Sequence, residues 1–148
     1  MSEKRVTWRA GAKGMAESHA RAVYPHECCG ILVGTSGNGE EGTVIFQAIV
    51  AENVAAAERH RDRYVVDPLA ILRADRQARD AGLEIVGFYH SHPDHPAIPS
   101  ATDGELAWPA YLYVIVSVER EGVAGMRAWR WPREGAPPME CPMREEGA

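Results

Sequence analysis

Apolar residues change their period several times along this chain, and each change marks an element. Val6-Thr7-Trp8 is long enough only for a short strand. From Ala12 to Val23 the residues Met15, Ala16, His19, Ala22 and Val23 recur at roughly helical spacing, which predicts a helix. It should stop at Tyr24, because the residue before a proline is disfavoured in the helical region. Cys28 to Gly34 is a short apolar run between a proline turn and a glycine-rich segment at 34–39, the profile of a buried strand. Thr43 to Val50 is apolar and β-branched, so the two runs are predicted to pair as a hairpin.

Asn53 to Arg63 is polar and alanine-rich, either a loop or a frayed helix, and Tyr64-Val65-Val66 returns to extended structure. Asp67-Pro68 is a helix start, an N-cap acid followed by proline at the first helical position. Leu69, Leu72 and the alanines at 70, 74, 78 and 81 give that helix its apolar face, and Gly82 suits a C-cap. Leu83 to Tyr89 reads as a strand running into His90. Ser100 to Trp108 reads as a short helix, with Ser100 three residues before Asp103 in a capping-box arrangement. Tyr111 to Val118 and Val123 to Trp131 are two further strands joined through Glu121-Gly122. Interleaved strands and helices predict one α/β domain with a mixed sheet over 1–131. Residues 132–148, rich in proline, glycine and charge, read as a loosely ordered tail.

Bulk properties change this picture little. A chain of 148 residues is long enough for one core without disulfides or a structural metal. The formal charge of −5 argues against a nucleic-acid binder. Arg59, His60, Arg61 and Arg63, then Arg73, Arg76 and Arg79, are interrupted by Asp62, Asp75 and Asp80, as on a solvated face of mixed charge. No apolar leader and no membrane-length span is apparent. Three cysteines, two of them adjacent, form no disulfide framework. A cytoplasmic location is expected.

Chemistry concentrates at Gly87-Phe88-Tyr89-His90-Ser91-His92-Pro93 and at Pro99-Ser100-Ala101-Thr102-Asp103. Histidines one residue apart at a strand end share a face, because strand side chains alternate. Asp103, beyond a proline-rich turn, can supply a third ligand. Two imidazoles and a carboxylate, with one position left for water, is the arrangement of a catalytic zinc ion (Zn2+). His95 competes for the third place, and Asp94, tethered too closely to His92, ranks below it. Hydrolysis also needs a base. Glu27, at the mouth of the first buried strand, is the leading candidate, with Glu84 and Glu105 still open. Cys28 as a thiolate nucleophile is disfavoured by its apolar setting. The H-x-E and P-C-x-x-C pattern of a zinc deaminase is absent.

These residues resemble the JAMM/MPN+ metallopeptidase family, whose pattern is an upstream glutamate, then H-[S/T]-H-P, then S-x-x-D. Here it reads Glu27, His90-Ser91-His92-Pro93 and Ser100-Ala101-Thr102-Asp103, and the likeness extends over roughly Val6 to Trp131. The resemblance implies a cytidine-deaminase-like αβα sandwich. It implies that His90, His92 and Asp103 bind zinc, that Glu27 moves the proton of the attacking water, and that Ser100 bonds the oxyanion. It further implies cleavage after the diglycine end of a ubiquitin-like protein. The chain is most similar to short prokaryotic members, and Ala51 to Pro68 resembles the subgroup acting on ThiS/MoaD-like sulfur carriers. A non-catalytic MPN-type interaction module and a hydrolase of small peptides are the alternatives.

Overall fold

The computed structural model describes residues 5–37, 42–55 and 63–146. Its centre is an eight-stranded mixed sheet in the order β7-β6-β5-β4-β2-β3-β1-β8. The strands are β1 (Val6–Trp8), β2 (Cys29–Thr35), β3 (Thr43–Ala51), β4 (Glu84–Pro93), β5 (Leu112–Glu119), β6 (Gly122–Arg130), β7 (Met139–Cys141) and β8 (Met143–Glu145). β2 pairs antiparallel with both β3 and β4, whereas β4 and β5 run parallel. The expected β2–β3 hairpin and the turn into β6 at Gly122 are both present.

Helices pack on both faces. Alternation along β2 sends Leu32 to one core, with Ala12, Ala16 and Ala20 of α1 (Ala12–Val23). Ile31 and Val33 go to the other, with Ala74 and Ala78 of α2 (Pro68–Asp80). The start of α2 is as the sequence predicts: Asp67 Oδ1 accepts the Leu69 N–H at 3.0 Å, and Pro68 opens the helix. Gly82 follows its end at φ +75°, a conformation glycine adopts without steric cost.

The helix faces differ from expectation. Met15 on α1 and Leu69 and Leu72 on α2 are exposed, and alanines spaced four apart form the buried stripes. The small side chain lets the helix axis approach the sheet closely, so the bulky residue on the neighbouring face is left in solvent.

A larger correction concerns residues 132–148, read above as loosely ordered. They carry β7 and β8, separated only by Pro142. β7 covers the free edge of β6, and β8 covers that of β1. Pro142 O accepts the Val6 N–H at 2.9 Å and Trp8 O accepts the Glu146 N–H at 2.8 Å. Trp131, Ala136 and Cys141 are buried. Unpaired edges expose rows of backbone donors and acceptors, and this short bent segment satisfies two of them. Strands of three residues are too brief to leave a period in the sequence.

Arg59, His60, Arg61 and Asp62 lie outside the described residues. Farther along, Arg79 pairs with Asp75 at 3.0 Å on the exposed side of α2, in keeping with a solvated mixed face. Among the described residues no helix is long and apolar enough to cross a membrane.

Candidate metal centre

β4 runs on past Tyr89 through both histidines, so His90 and His92 project to the same side at its end. Their Nε2 atoms are 3.2 Å apart. Asp103 comes from the first turn of α3 (Ala101–Leu106), whose N-cap is Ser100. Ser100 Oγ accepts the Asp103 N–H at 3.1 Å, and Asp103 Oδ2 accepts the Ser100 N–H at 2.9 Å. That reciprocal cap fixes the carboxylate, which puts Oδ1 3.3 Å from His90 Nε2 and Oδ2 3.1 Å from His92 Nε2.

These separations test whether an ion fits. Ligands about 2.0–2.1 Å from a tetrahedral zinc stand about 3.3–3.4 Å from one another. The two histidine nitrogens, 3.2 Å apart, are close to that edge length, and each has one of the two Asp103 oxygens at 3.1–3.3 Å. One ligating atom from each of the three residues lies within 4.8 Å of the others. Two nitrogens and a carboxylate are also a donor set that zinc accepts. The orientation of His92 agrees: its Nδ1 lies 2.9 Å from Pro96 O. A carbonyl only accepts, so Nδ1 carries the hydrogen, the tautomer whose neutral form offers the Nε2 lone pair to an ion at the centre.

Electrostatics at the cluster follow from burial and contact. His90 is fully enclosed, and burial lowers its pKa against the opposing pull of Asp103. Burial also pulls His92 down, but Asp103 and the Pro96 carbonyl outweigh it and leave the ring raised. Burial alone would raise Asp103, yet the contacts from both imidazoles and the Ser100 N–H hold it far below the usual carboxylate range. The acid is therefore ionised and acceptor-only.

A cleft of roughly 370 Å³ opens beside the cluster, lined by Glu27, Tyr64, His92, Ser100 and Asp103, with Arg63, His95, Pro96, Ile98 and Leu106 around them. Glu27, just ahead of β2, is largely buried. Its neighbour Cys28 donates its N–H to Ser91 Oγ at 2.8 Å and accepts the Ser91 N–H at 3.1 Å. The serine between the histidines thereby ties the end of β4 to the segment that carries Glu27.

All five candidates from the sequence thus meet at one place. Among the described residues His90, His92 and Asp103 form the one group of three or more ligating side chains able to converge on an ion. The rivals separate from it. Asp94 accepts the Tyr24 hydroxyl at 2.9 and 3.0 Å, and His95 stands at the cleft wall outside the cluster. Glu84 lies at the opposite end of β4 from the histidines, and Glu105 is exposed and absent from the cleft lining. Burial pushes the Cys28 thiol to about 11 and the Cys29 thiol to about 12, so both are neutral. That removes the thiolate alternative.

Two residues at the site have no sequence signal that finds them. Tyr64 stacks on His90 with ring centroids 4.3 Å apart and planes 19° from parallel. Burial, then the Asp103 charge, raises its phenol well above the ordinary value, so it stays neutral. Asn53 Nδ2 donates to Glu27 O and Arg63 O, both at 3.1 Å. Its Oδ1 accepts the N–H groups of Ala55 and Val65 at 3.1 and 3.0 Å. Only the fold brings these polar groups together.

Residues 15–132 match the family described as prokaryotic homologs of the JAB domain. The desampylase of Haloferax volcanii is 38% identical over 122 residues, covering 79% of this chain and 84% of that one. The CysO-cysteine peptidase of Mycobacterium tuberculosis is 33% identical over 123 residues, covering 82% and 80%. Among solved structures, a protein from Desulfitobacterium hafniense superposes with a TM-score of 0.81 at 25% identity, over 97% of this chain and 94% of the other.

Proposed function

Since the chain belongs to the prokaryotic homologs of the JAB domain, we propose that it is a zinc peptidase of the JAMM type. Its substrate is the amide bond after the diglycine end of a ubiquitin-like or sulfur-carrier protein. The observation that carries this reading is the convergence of His90, His92 and Asp103, with their contacting atoms 3.1–3.3 Å apart, beside a cleft that also holds Glu27 and Ser100. Relatives named desampylase and CysO-cysteine peptidase support the substrate class. Helices on both faces of a mixed sheet support the cytidine-deaminase-like form of the fold.

His90, His92 and Asp103 would hold the ion. When bound, zinc supplies a Lewis acid for the scissile carbonyl and lowers the pKa of the attacking water towards about 7. Glu27 takes the proton of that water and delivers it to the leaving amine, the work of a general base that then acts as acid. Ser100 Oγ already accepts the Asp103 N–H, which leaves its O–H to donate to the carbonyl oxygen as negative charge develops there. Asp103, ionised and held by the cap, keeps the ligand set negative by one charge.

The test is hydrolysis of a panel of purified diglycine-ended carriers extended by cysteine or by a lysine-linked peptide, with and without chelator. Chelator-sensitive release of the extension supports the proposal. Release that chelation leaves untouched, or faster cleavage of short unrelated peptides than of every carrier, rejects it.

A further inference from the structure

The two histidines of the cluster are held in different ways. His92 uses its second ring nitrogen, as a metal-ligating imidazole ordinarily does, through the 2.9 Å contact with Pro96 O. His90 has no such support: its Nδ1 is buried and without a hydrogen-bond partner among the described residues. A ring lacking that bond can rotate about its side-chain torsions unless something else fixes its plane. The face of Tyr64, 4.3 Å away and near parallel, lies where that restraint is needed.

Tyr64 is itself placed from a distance. Asn53 uses both ends of its amide to bind residues on either side of the tyrosine, Arg63 O at 3.1 Å and Val65 N–H at 3.0 Å. The same amide donates to Glu27 O at 3.1 Å, and an antiparallel bridge joins Asn53 to Val66. One side chain therefore anchors the aromatic platform and the backbone of the acid together.

We propose that Tyr64, anchored by Asn53, is the positioning residue for His90, its ring face standing in for the hydrogen bond that His90 Nδ1 lacks. The inference rests on the metal-site reading above and extends it to residues outside the ligand set. It makes metal affinity, and not only turnover, depend on an aromatic ring at position 64.

The test is the zinc affinity of the full-length protein, measured by competition with a chromophoric chelator, alongside the melting temperature of each metal-free variant. Tyr64→Phe keeps the ring face and should bind zinc within about two-fold of the parent. Tyr64→Leu should remain folded but bind about 10- to 100-fold more weakly, the usual cost of losing an outer support of a ligand. Asn53→Asp keeps the acceptor atoms but cannot donate to Glu27 O and Arg63 O, and should weaken binding about ten-fold. Parental affinity in folded Tyr64→Leu overturns the proposal, as does a loss in Tyr64→Phe equal to that in Tyr64→Leu, which would credit the hydroxyl. If Tyr64→Leu does not fold, Asn53→Asp decides, and parental affinity there overturns the proposal. A parent protein that binds no zinc sinks the metal reading itself, and this inference with it.

Discussion

Ser91 and Cys28 exchange two hydrogen bonds, Cys28 N–H to Ser91 Oγ at 2.8 Å and Ser91 N–H to Cys28 O at 3.1 Å. Ser91 is fully buried between two candidate ligands, and Cys28 adjoins the candidate base. The hydroxyl therefore adds to the β2–β4 pairing in tying the segment that carries Glu27 to the strand end that carries the histidines. Ser91→Ala strands the buried Cys28 N–H and should destabilise the fold by about 1–3 kcal/mol in urea unfolding. Ser91→Thr keeps the hydroxyl and should recover most of that loss. Equal stability of Ser91→Ala and the parent would contradict this role.

Gly30 and Tyr89 face each other across β2 and β4. A Cβ on Gly30 would stand 2.0 Å from Tyr89 Cε2, so the buried ring occupies the space a side chain would need. Gly30→Ala should cost about 1–3 kcal/mol by overpacking. Adding Tyr89→Leu should return part of that cost, a coupling that a double-mutant cycle measures directly. Strict additivity would count against the close fit.

The visible part of this site followed from local rules. Period-two alternation put His90 and His92 on one side, Asp67-Pro68 opened α2, and Ser100 capped the turn bearing Asp103. Each signal spans a few residues and needs no knowledge of the partner. Tyr64 against His90, and Asn53 against the Glu27 carbonyl, join segments far apart in the chain through groups common in any loop. Nor could periodicity decide between Met15 and the alanines of α1, since both recur at helical spacing. Sheet proximity selected the smaller side chains.

The chain end offers a test of what sequence hid. β7 and β8 each close an edge of the sheet. Truncation after Trp131 should lower the melting temperature markedly and promote association through the uncovered edges of β6 and β1. Light scattering and thermal unfolding measure both effects. A truncated protein as stable and monodisperse as the parent would return these residues to the status of a tail.

His19 gives stability a pH dependence. Its Nδ1 lies 2.7 Å from the Tyr89 hydroxyl, and burial lowers its pKa. The folded state thus resists a proton that the unfolded chain accepts near its ordinary value of about 6.5. Its contribution is complete above that value and is lost as pH falls towards the lowered folded value. His19→Gln retains an acceptor for Tyr89 without titrating. The stability difference between parent and variant should change over this acid range and stay flat from pH 7 to 9. A difference that stays constant below pH 6.5 would contradict the assignment.

The most direct measurement is the hydrolysis rate of a diglycine carrier–cysteine adduct by Glu27→Gln whose zinc content has been verified. The substitution removes the proton acceptor and leaves His90, His92 and Asp103 in place. The expected result is one zinc per chain with turnover reduced about 10²- to 10⁴-fold, while His90→Ala loses metal and turnover together. Undiminished turnover by zinc-replete Glu27→Gln would contradict the account at its centre.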